Sequence, residues 1–278
     1  MAFLDQLKKL NISENNLSLH LNEAKFGFDH IHKYCDRLDK GSNILEIGCG
    51  SGVLLGMLCS QYKHLVFEGI EPFESGLENF SNLSVLNEYI TKMNIAIMRK
   101  NYENFKPAKK YDLIFCINVF EHLNDWRHFV VYTSNWLNPA GRIVVLCPNY
   151  GLPYESHFRL PIIFNKNITY KMFRTYIVNF EKKYNFMGLW NSLNFVKKKD
   201  VKQFINDNSN MYLVDHLEII DYLLKRIFHD EDFKKRQKLI GYIAIIFFYI
   251  PFSVVSIVVS FNTILIYNIY IQVCQINY

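Results

Sequence analysis

The sequence predicts an α/β fold, a doubly wound and mostly parallel sheet with helices on both faces. Three observations carry this. From residue 43 onward, short unbroken apolar runs alternate with stretches at helical spacing. Strands buried on both faces read as such runs, and parallel neighbours need a crossover, usually a helix, between them. The first apolar run ends in a glycine-rich turn that opens a helical stretch. Half of the 278 residues are hydrophobic and 21% are charged, enough apolar surface for a sizeable core and the wrong balance for disorder. With 12 Gly and 7 Pro, collagen-like and low-complexity chains are also excluded.

Residues 1–40 read as a helical lead-in, with Leu4, Leu7 and Leu10, then Phe28, Ile31 and Tyr34, at helical spacing. Strands are expected at 43–47, 65–70, 95–98, 111–117 and 142–147, with helices at 52–61, 74–89 and 124–137 between them. Pro139 and Gly141 mark a turn into the fifth strand. The proline-rich segment 147–161 reads as a loop, followed by helices over 169–183 and 197–207 and a strand over 211–220. A 23-residue apolar run fills 239–261, and the β-rich run 262–270 follows it.

Charge is uneven. Residues 1–150 carry 15 Lys/Arg against 16 Asp/Glu, residues 151–238 carry 16 against 10, and residues 239–278 carry neither kind nor any His. A basic second half beside an uncharged tail points to a membrane surface more than to nucleic acid. The amino-terminal residues lack the apolar run of a signal peptide. The six cysteines form no CxxC pair, so neither a disulfide framework nor a zinc site is indicated, and a reducing, cytoplasmic setting fits.

The chemistry begins with ILEIGCGSG at 44–52. Glycines at 48, 50 and 52 allow a tight turn and close approach of a ligand at a helix start. The dinucleotide pattern GxGxxG needs glycine where Val53 stands, and Glu46, two residues before the first glycine, would repel a pyrophosphate while favouring an ammonium or sulfonium. Glu71, in GIEPF at 69–73, sits where a carboxylate at the tip of a second parallel strand accepts hydrogen bonds from ribose hydroxyls. These features favour S-adenosylmethionine over NAD.

With YDLIFCINVFEHLNDW at 111–126 and LNPAGRIVVLCPN at 137–149, the four motifs in order resemble the class I S-adenosylmethionine-dependent methyltransferases. EHL at 121–123 resembles the branch that methylates small molecules, and PNYGLPYESHF at 148–158 resembles enzymes found among bacterial surface-polysaccharide and lipid-modifying genes. The resemblance implies a Rossmann-like, mostly parallel seven-stranded sheet, with 211–220 and 262–270 as its sixth and seventh strands and the last one antiparallel. It implies that Glu46, Gly48, Cys49 and Gly50 line the methionine end of the cofactor. Glu71 would bind the ribose, Pro72 and Phe73 would lie beside the adenine, and Asn101 and Tyr102 would meet its amine, although the family more often has an acid at the position of Asn101. Asn118 and Val119 would face the reactive centre, followed by Glu121 and His122.

His122 is either a general base or a residue that packs over the cofactor and caps the next helix. His157, with Glu155 two residues earlier in the loop after the fifth strand, is the other candidate to take a proton from an acceptor, against a purely loop-anchoring role. Methyl transfer to a nucleophilic atom depends mainly on alignment, so a base is not obligatory. No protein metal is expected. The expected organisation is a lead-in at 1–42, a cofactor-binding core at 43–150, an acceptor-side insertion with the sixth strand at 151–238, and an apolar region with the last strand at 239–278. The expected reaction is methylation, at oxygen, of a small or lipid-linked acceptor such as a sugar, a polysaccharide precursor or a quinone-like compound. The cluster KKRQK at 234–238 beside the apolar run points to membrane association; the run is long enough to span, but with Pro251 interrupting it and a strand to follow, a helix packed on the domain or dipping into one leaflet is expected. The fourth-strand motif INVF, in place of an NPPY-type tetrad, speaks against nucleic-acid methylation. The rival functions are a non-catalytic cofactor-binding scaffold on the same fold and a nicotinamide-dependent oxidoreductase.

Overall fold

The computed structural model describes residues 2–72, 83–208, 211–214 and 269–275. Its central sheet is built from β1 (Asn43–Ile47), β2 (Val66–Ile70), β3 (Ala96–Met98), β4 (Tyr111–Ile117) and β5 (Leu137–Cys147), which run parallel in the order β3-β2-β1-β4-β5. A two-stranded hairpin, β6 (Tyr154–Glu155) with β7 (Leu160–Pro161), stands in the loop after β5. Two further strands extend the sheet beyond β5. Strand β9 (Ile269–Gln275) pairs antiparallel with β5, and β8 (Met211–Val214) pairs antiparallel with β9. The chain is therefore mostly parallel α/β with one reversed strand.

Alternate residues of each central strand face opposite sides of the sheet. Leu45, Ile114, Cys116, Ile143 and Val145 enter one core, with Phe129 and Val130 from α5 (Trp126–Ser134) and Val201 and Ile205 from the helix Lys198–Asn206. Ile44, Leu113, Phe115, Val144 and Leu146 enter the other, with Ile31 from α2 (Glu14–Cys35), Leu54 and Leu58 from α3 (Val53–Gln61), and Leu86 and Ile90 from α4 (Leu83–Thr91). The short α1 (Ala2–Leu7) adds Leu7 to this second core. Helices start where the sequence offers a cap. Ser13 accepts from Asn16 N–H, Asp125 from the N–H groups of Arg127 and His128, and Asn165 from Ile168 N–H ahead of α6 (Lys166–Tyr184).

Several expected boundaries move. The fifth strand begins at Leu137 and not at 142. Its Pro139 and Gly141 lie inside it, where the register slips so that Leu137 faces Tyr111 and Arg142 faces Leu113, and Ala140 takes φ +62°. Of the run 262–270, residues 262–268 lie outside the described residues; the described strand is Ile269–Gln275, where IYIQVCQ finds hydrogen-bonding partners on both sides. Of 211–220, the strand covers Met211–Val214, and 215–220 lies outside the described residues. The apolar run 239–261 and KKRQK at 234–238 also lie outside them. Among the described residues, no helix is long and apolar enough to cross a membrane.

Candidate active site

In sheets of this order ligands bind beyond the carboxyl ends of the strands, at the point where strand order reverses between β1 and β4. The glycine turn, residues 48–52, lies there. It is sewn to the end of β2. Gly48 N–H and Cys49 N–H donate to Ile70 O at 2.8 and 3.2 Å, and Gly50 N–H donates to the Glu71 carboxylate at 2.9 Å. Gly48 has φ +74°, and a Cβ there would stand 2.3 Å from Val119 Cγ2, so the turn and the β4 loop touch only because the side chain is missing. Gly50, at φ +50°, is different: a Cβ on it would meet nothing within 4 Å. Its open side is a backbone surface against which a ligand can lie.

Two carboxylates border this surface. Glu46 is buried within β1, and its Oε2 has no hydrogen-bond partner. Burial, and after it the charge of Glu71, pushes its carboxyl well above the usual range. These features fit a sulfonium-bearing amino-acid cofactor: an open glycine turn, a pinned ribose-height carboxylate, and a buried carboxyl lacking a partner.

The other residues expected around the cofactor are placed as follows. The Cys49 thiol packs against Gly69, where a Cβ would stand 2.7 Å from its Sγ, and burial raises it far above the thiolate range. Pro72 is exposed beside Glu71, and Phe73 lies outside the described residues. Asn101 caps a single 3-10 turn, its side chain accepting from Asn104 N–H at 3.1 Å. Tyr102 is buried, with its ring edge-on to Phe129 at 5.0 Å and its hydroxyl 3.4 Å from Asp125 O. Asn118 takes φ +55° at the end of β4, which turns the chain toward Val119 and the next motif.

That motif, Phe120–His122, is another 3-10 turn, and Asn194 clamps it. Asn194 Nδ2 donates to Phe120 O at 2.8 Å and to Leu123 O at 3.0 Å, while Asn194 N–H donates to Glu121 O at 2.7 Å. The turn holds Glu121 fully buried, with neither carboxylate oxygen hydrogen-bonded. Both histidines converge on it, His122 Nε2 and His157 Nε2 each lying 4.0 Å from Glu121 Oε1, with their rings edge-to-face at 5.5 Å.

Partners on the far nitrogens fix both rings. Ser192 Oγ donates to Leu189 O at 2.9 Å, so it accepts from His122 Nδ1–H, also at 2.9 Å. Glu155 Oε1 accepts from His157 Nδ1–H at 2.7 Å. Glu155 is fully buried and also accepts from Tyr150 Oη–H, His157 N–H and Phe158 N–H. Burial pushes His122 down to about 4, helped by the neighbouring His157, so His122 is neutral near pH 7. Burial lifts Glu121 to about 7 against the pull of His157. Burial opposes charge on His157, but its bond to Glu155 outweighs this and raises it, and the same bond holds Glu155 low despite burial. His122 does not cap the following helix, since Asp125 does. Sequence reasoning named the two histidines but missed Glu121 as their common partner and Ser192 and Asn194 as supports. The signals available were the EHL triplet and the Glu155-x-His157 pair.

A methyltransferase-domain family matches residues 20–195, spanning both the glycine turn and this cluster. The chain belongs to that family. This S-adenosylmethionine-dependent methyltransferase is 30% identical over 215 residues to Uncharacterized protein Rv1509 of Mycobacterium tuberculosis, covering 77% of the chain and 73% of the relative. It is 24% identical over 116 residues to the Ubiquinone biosynthesis O-methyltransferase of Rickettsia akari, 42% of each. Among solved structures, the plantazolicin methyltransferase BpumL, in complex with a triazolic desmethylPZN analog and SAH, is 16% identical. That match covers 77% of this methyltransferase and 75% of the other chain, with a TM-score of 0.48.

Proposed function

We propose that this methyltransferase methylates an oxygen of a small or lipid-linked acceptor, such as a sugar, a polysaccharide precursor or a quinone-like compound. One observation carries the reading. A buried carboxyl, Glu121, stands two residues beyond Val119 at the carboxyl end of β4, the Nε2 atoms of His122 and His157 converge on it, and Val119 packs against the glycine turn at Gly48.

Glu46, the Gly48–Gly50 turn and Glu71 would hold S-adenosylmethionine, with Asn118 and Val119 at its edge. When bound, the cofactor supplies a methyl group on a positively charged sulfur. The chain's own residues then have two tasks. Glu46 turns a site for a neutral carboxyl into a site for a cation by giving up its proton. Glu121, His122 and His157 activate the acceptor's hydroxyl, whose proton must leave for the oxygen to become a strong nucleophile. A neutral His122 and a His157 anchored by Glu155 suit this at ordinary pH.

A lipid-linked acceptor has further support. Phe164, Ile168, Met172 and Tyr176 are spaced four apart, all are exposed, and Lys171 and Arg174 flank them. Ile168, Met172 and Tyr176 lie on α6 and Phe164 stands just before its cap, a spacing that suits an amphipathic surface. The basic cluster 234–238 and the apolar run 239–261 add to it in sequence.

The test is transfer of a ¹³C-methyl group from the cofactor to fractionated lipid and soluble sugar pools, with product NMR to locate the methyl. A methoxy resonance in either pool is expected. An N-methyl product, or cofactor binding without turnover on any pool, contradicts the reading.

A further inference from the structure

We infer that Glu121, His122 and His157 form a binding site for a divalent first-row transition metal. The three side chains offer one carboxylate oxygen and two imidazole nitrogens, all within 4.8 Å of one another. In a tetrahedral site with bonds of roughly 2.1 Å, ligand atoms stand roughly 3.4 Å apart. The observed 4.0 Å from each Nε2 to Glu121 Oε1 is closed by a small side-chain rotation.

Three independent features point the same way. The Glu121 carboxylate is fully buried with neither oxygen hydrogen-bonded, an arrangement that is costly unless something binds it. Each histidine turns its Nε2 toward that carboxylate while its Nδ1 is engaged, by Ser192 Oγ in one case and by Glu155 in the other. Engagement of the far nitrogen by a carboxylate or hydroxyl is how metal-ligating histidines are oriented and made more basic. The supports are themselves fixed, since Glu155 accepts from Tyr150, His157 N–H and Phe158 N–H, and Asn194 holds the Glu121 turn. Two imidazoles with a single carboxylate select zinc, iron, cobalt or similar ions over magnesium and calcium, which prefer all-oxygen shells. With only three protein ligands, at least one position stays open.

The inference rests on the acceptor-side reading of this cluster and names how it would work. A metal there binds the acceptor's oxygen at its open position and lowers the pKa of its proton, which is released to solvent. No cysteine pattern in the sequence marks such a site, because its ligands are histidines and a glutamate from two separate loops.

The experiment uses the full chain, stripped with chelator and titrated with Co²⁺ and Zn²⁺. About one Co²⁺ per chain is expected, with visible d–d absorption that Zn²⁺ displaces. His157→Ala and His122→Ala should each weaken Co²⁺ binding at least ~100-fold, and Glu155→Gln by roughly 10–100-fold through loss of the supporting bond. Binding of S-adenosylhomocysteine, measured on the same samples, reports whether each variant is folded. In the wild-type chain, ¹⁵N spectra read the site without any substitution, and Co²⁺ should broaden the His122 and His157 imidazole signals first. Absence of saturable metal binding by a wild-type chain that binds S-adenosylhomocysteine overturns the metal site alone. Undiminished binding by the doubly substituted His122→Ala, His157→Ala chain overturns it too. Stoichiometric metal binding by a chain that ignores S-adenosylhomocysteine supports the site and overturns the cofactor reading.

Discussion

Glu46 and Glu71 do opposite jobs a few ångströms of sequence logic apart. Glu71 is an ionic staple, its carboxylate bound to Gly50 N–H at 2.9 Å. Hydrogen bonds to charged groups contribute about 1.5–3 kcal/mol each. Glu71→Ala should therefore weaken S-adenosylmethionine binding roughly 10–100-fold, read by calorimetry. Glu46 keeps its proton in the fold because burial and the charge of Glu71 raise it. The native chain thus holds a proton that the unfolded chain releases above ~4.3. That stabilising contribution is complete at low pH and is lost as pH rises through the folded value. Cofactor binding should release this proton, so affinity should grow with pH, and calorimetry in buffers of different ionisation enthalpy should detect the release. Glu46→Gln should raise the thermal midpoint of the cofactor-free chain at neutral pH and lower cofactor affinity. A fall in both would show that Glu46 is ionised without ligand. These two residues were legible in sequence because they stand at fixed places around a glycine turn. The packing of Tyr102 was not: its ring completes a core aromatic cluster with Phe129 and His128, a choice made by tertiary packing that no local pattern records.

At the scale of elements, the 3-10 turn Phe120–His122 depends on a distant segment. Asn194 makes three hydrogen bonds to it, two from the side chain. Asn194→Ala leaves Phe120 O and Leu123 O without these donors, a loss of about 1–3 kcal/mol. Turnover should fall at least about tenfold while cofactor affinity stays within about twofold, since the glycine turn is held by β2 instead. A parallel fall in cofactor affinity would make Asn194 a general fold residue. The glycine turn itself is tested by Gly48→Ala. Its Cβ would need to displace Val119 at φ +74°, so the thermal midpoint should drop by about 2–4 °C for each kcal/mol of strain. Central strands were readable with little error, because Asn43–Ile47 and Tyr111–Ile117 are short, mostly apolar runs buried on both faces. The fifth strand was cut short because Pro139 and Gly141 look like a turn, whereas the sheet absorbs them as a register slip opposite Tyr111. The His122–His157 meeting was invisible for a simpler reason: it is made by two loops that only the closed sheet brings together.

For the whole molecule, the parallel sheet sets the glycine turn and the Glu121–His122–His157 cluster at the carboxyl ends of its strands, and the basic second half of the chain follows the fifth strand in sequence. A lipid-linked acceptor predicts that the full chain sediments with vesicles containing anionic lipid. Binding should weaken as salt rises, at about 1 kcal/mol per basic residue near the surface. Met172→Glu, on the exposed stripe of α6, should reduce sedimentation without changing cofactor affinity. Equal binding to neutral and anionic vesicles would remove the electrostatic part of this account.

The central claim is that the glycine turn and Glu71 hold S-adenosylmethionine. Its most direct measurement is equilibrium binding by the purified full chain, comparing S-adenosylmethionine with NAD and wild type with Glu71→Ala. The expected result is a Kd of about 1–10 μM for S-adenosylmethionine, corresponding to about −7 to −8 kcal/mol, far weaker binding of NAD, and the 10–100-fold loss in Glu71→Ala. Tighter binding of NAD, or an affinity for S-adenosylmethionine that Glu71→Ala leaves unchanged, would contradict it.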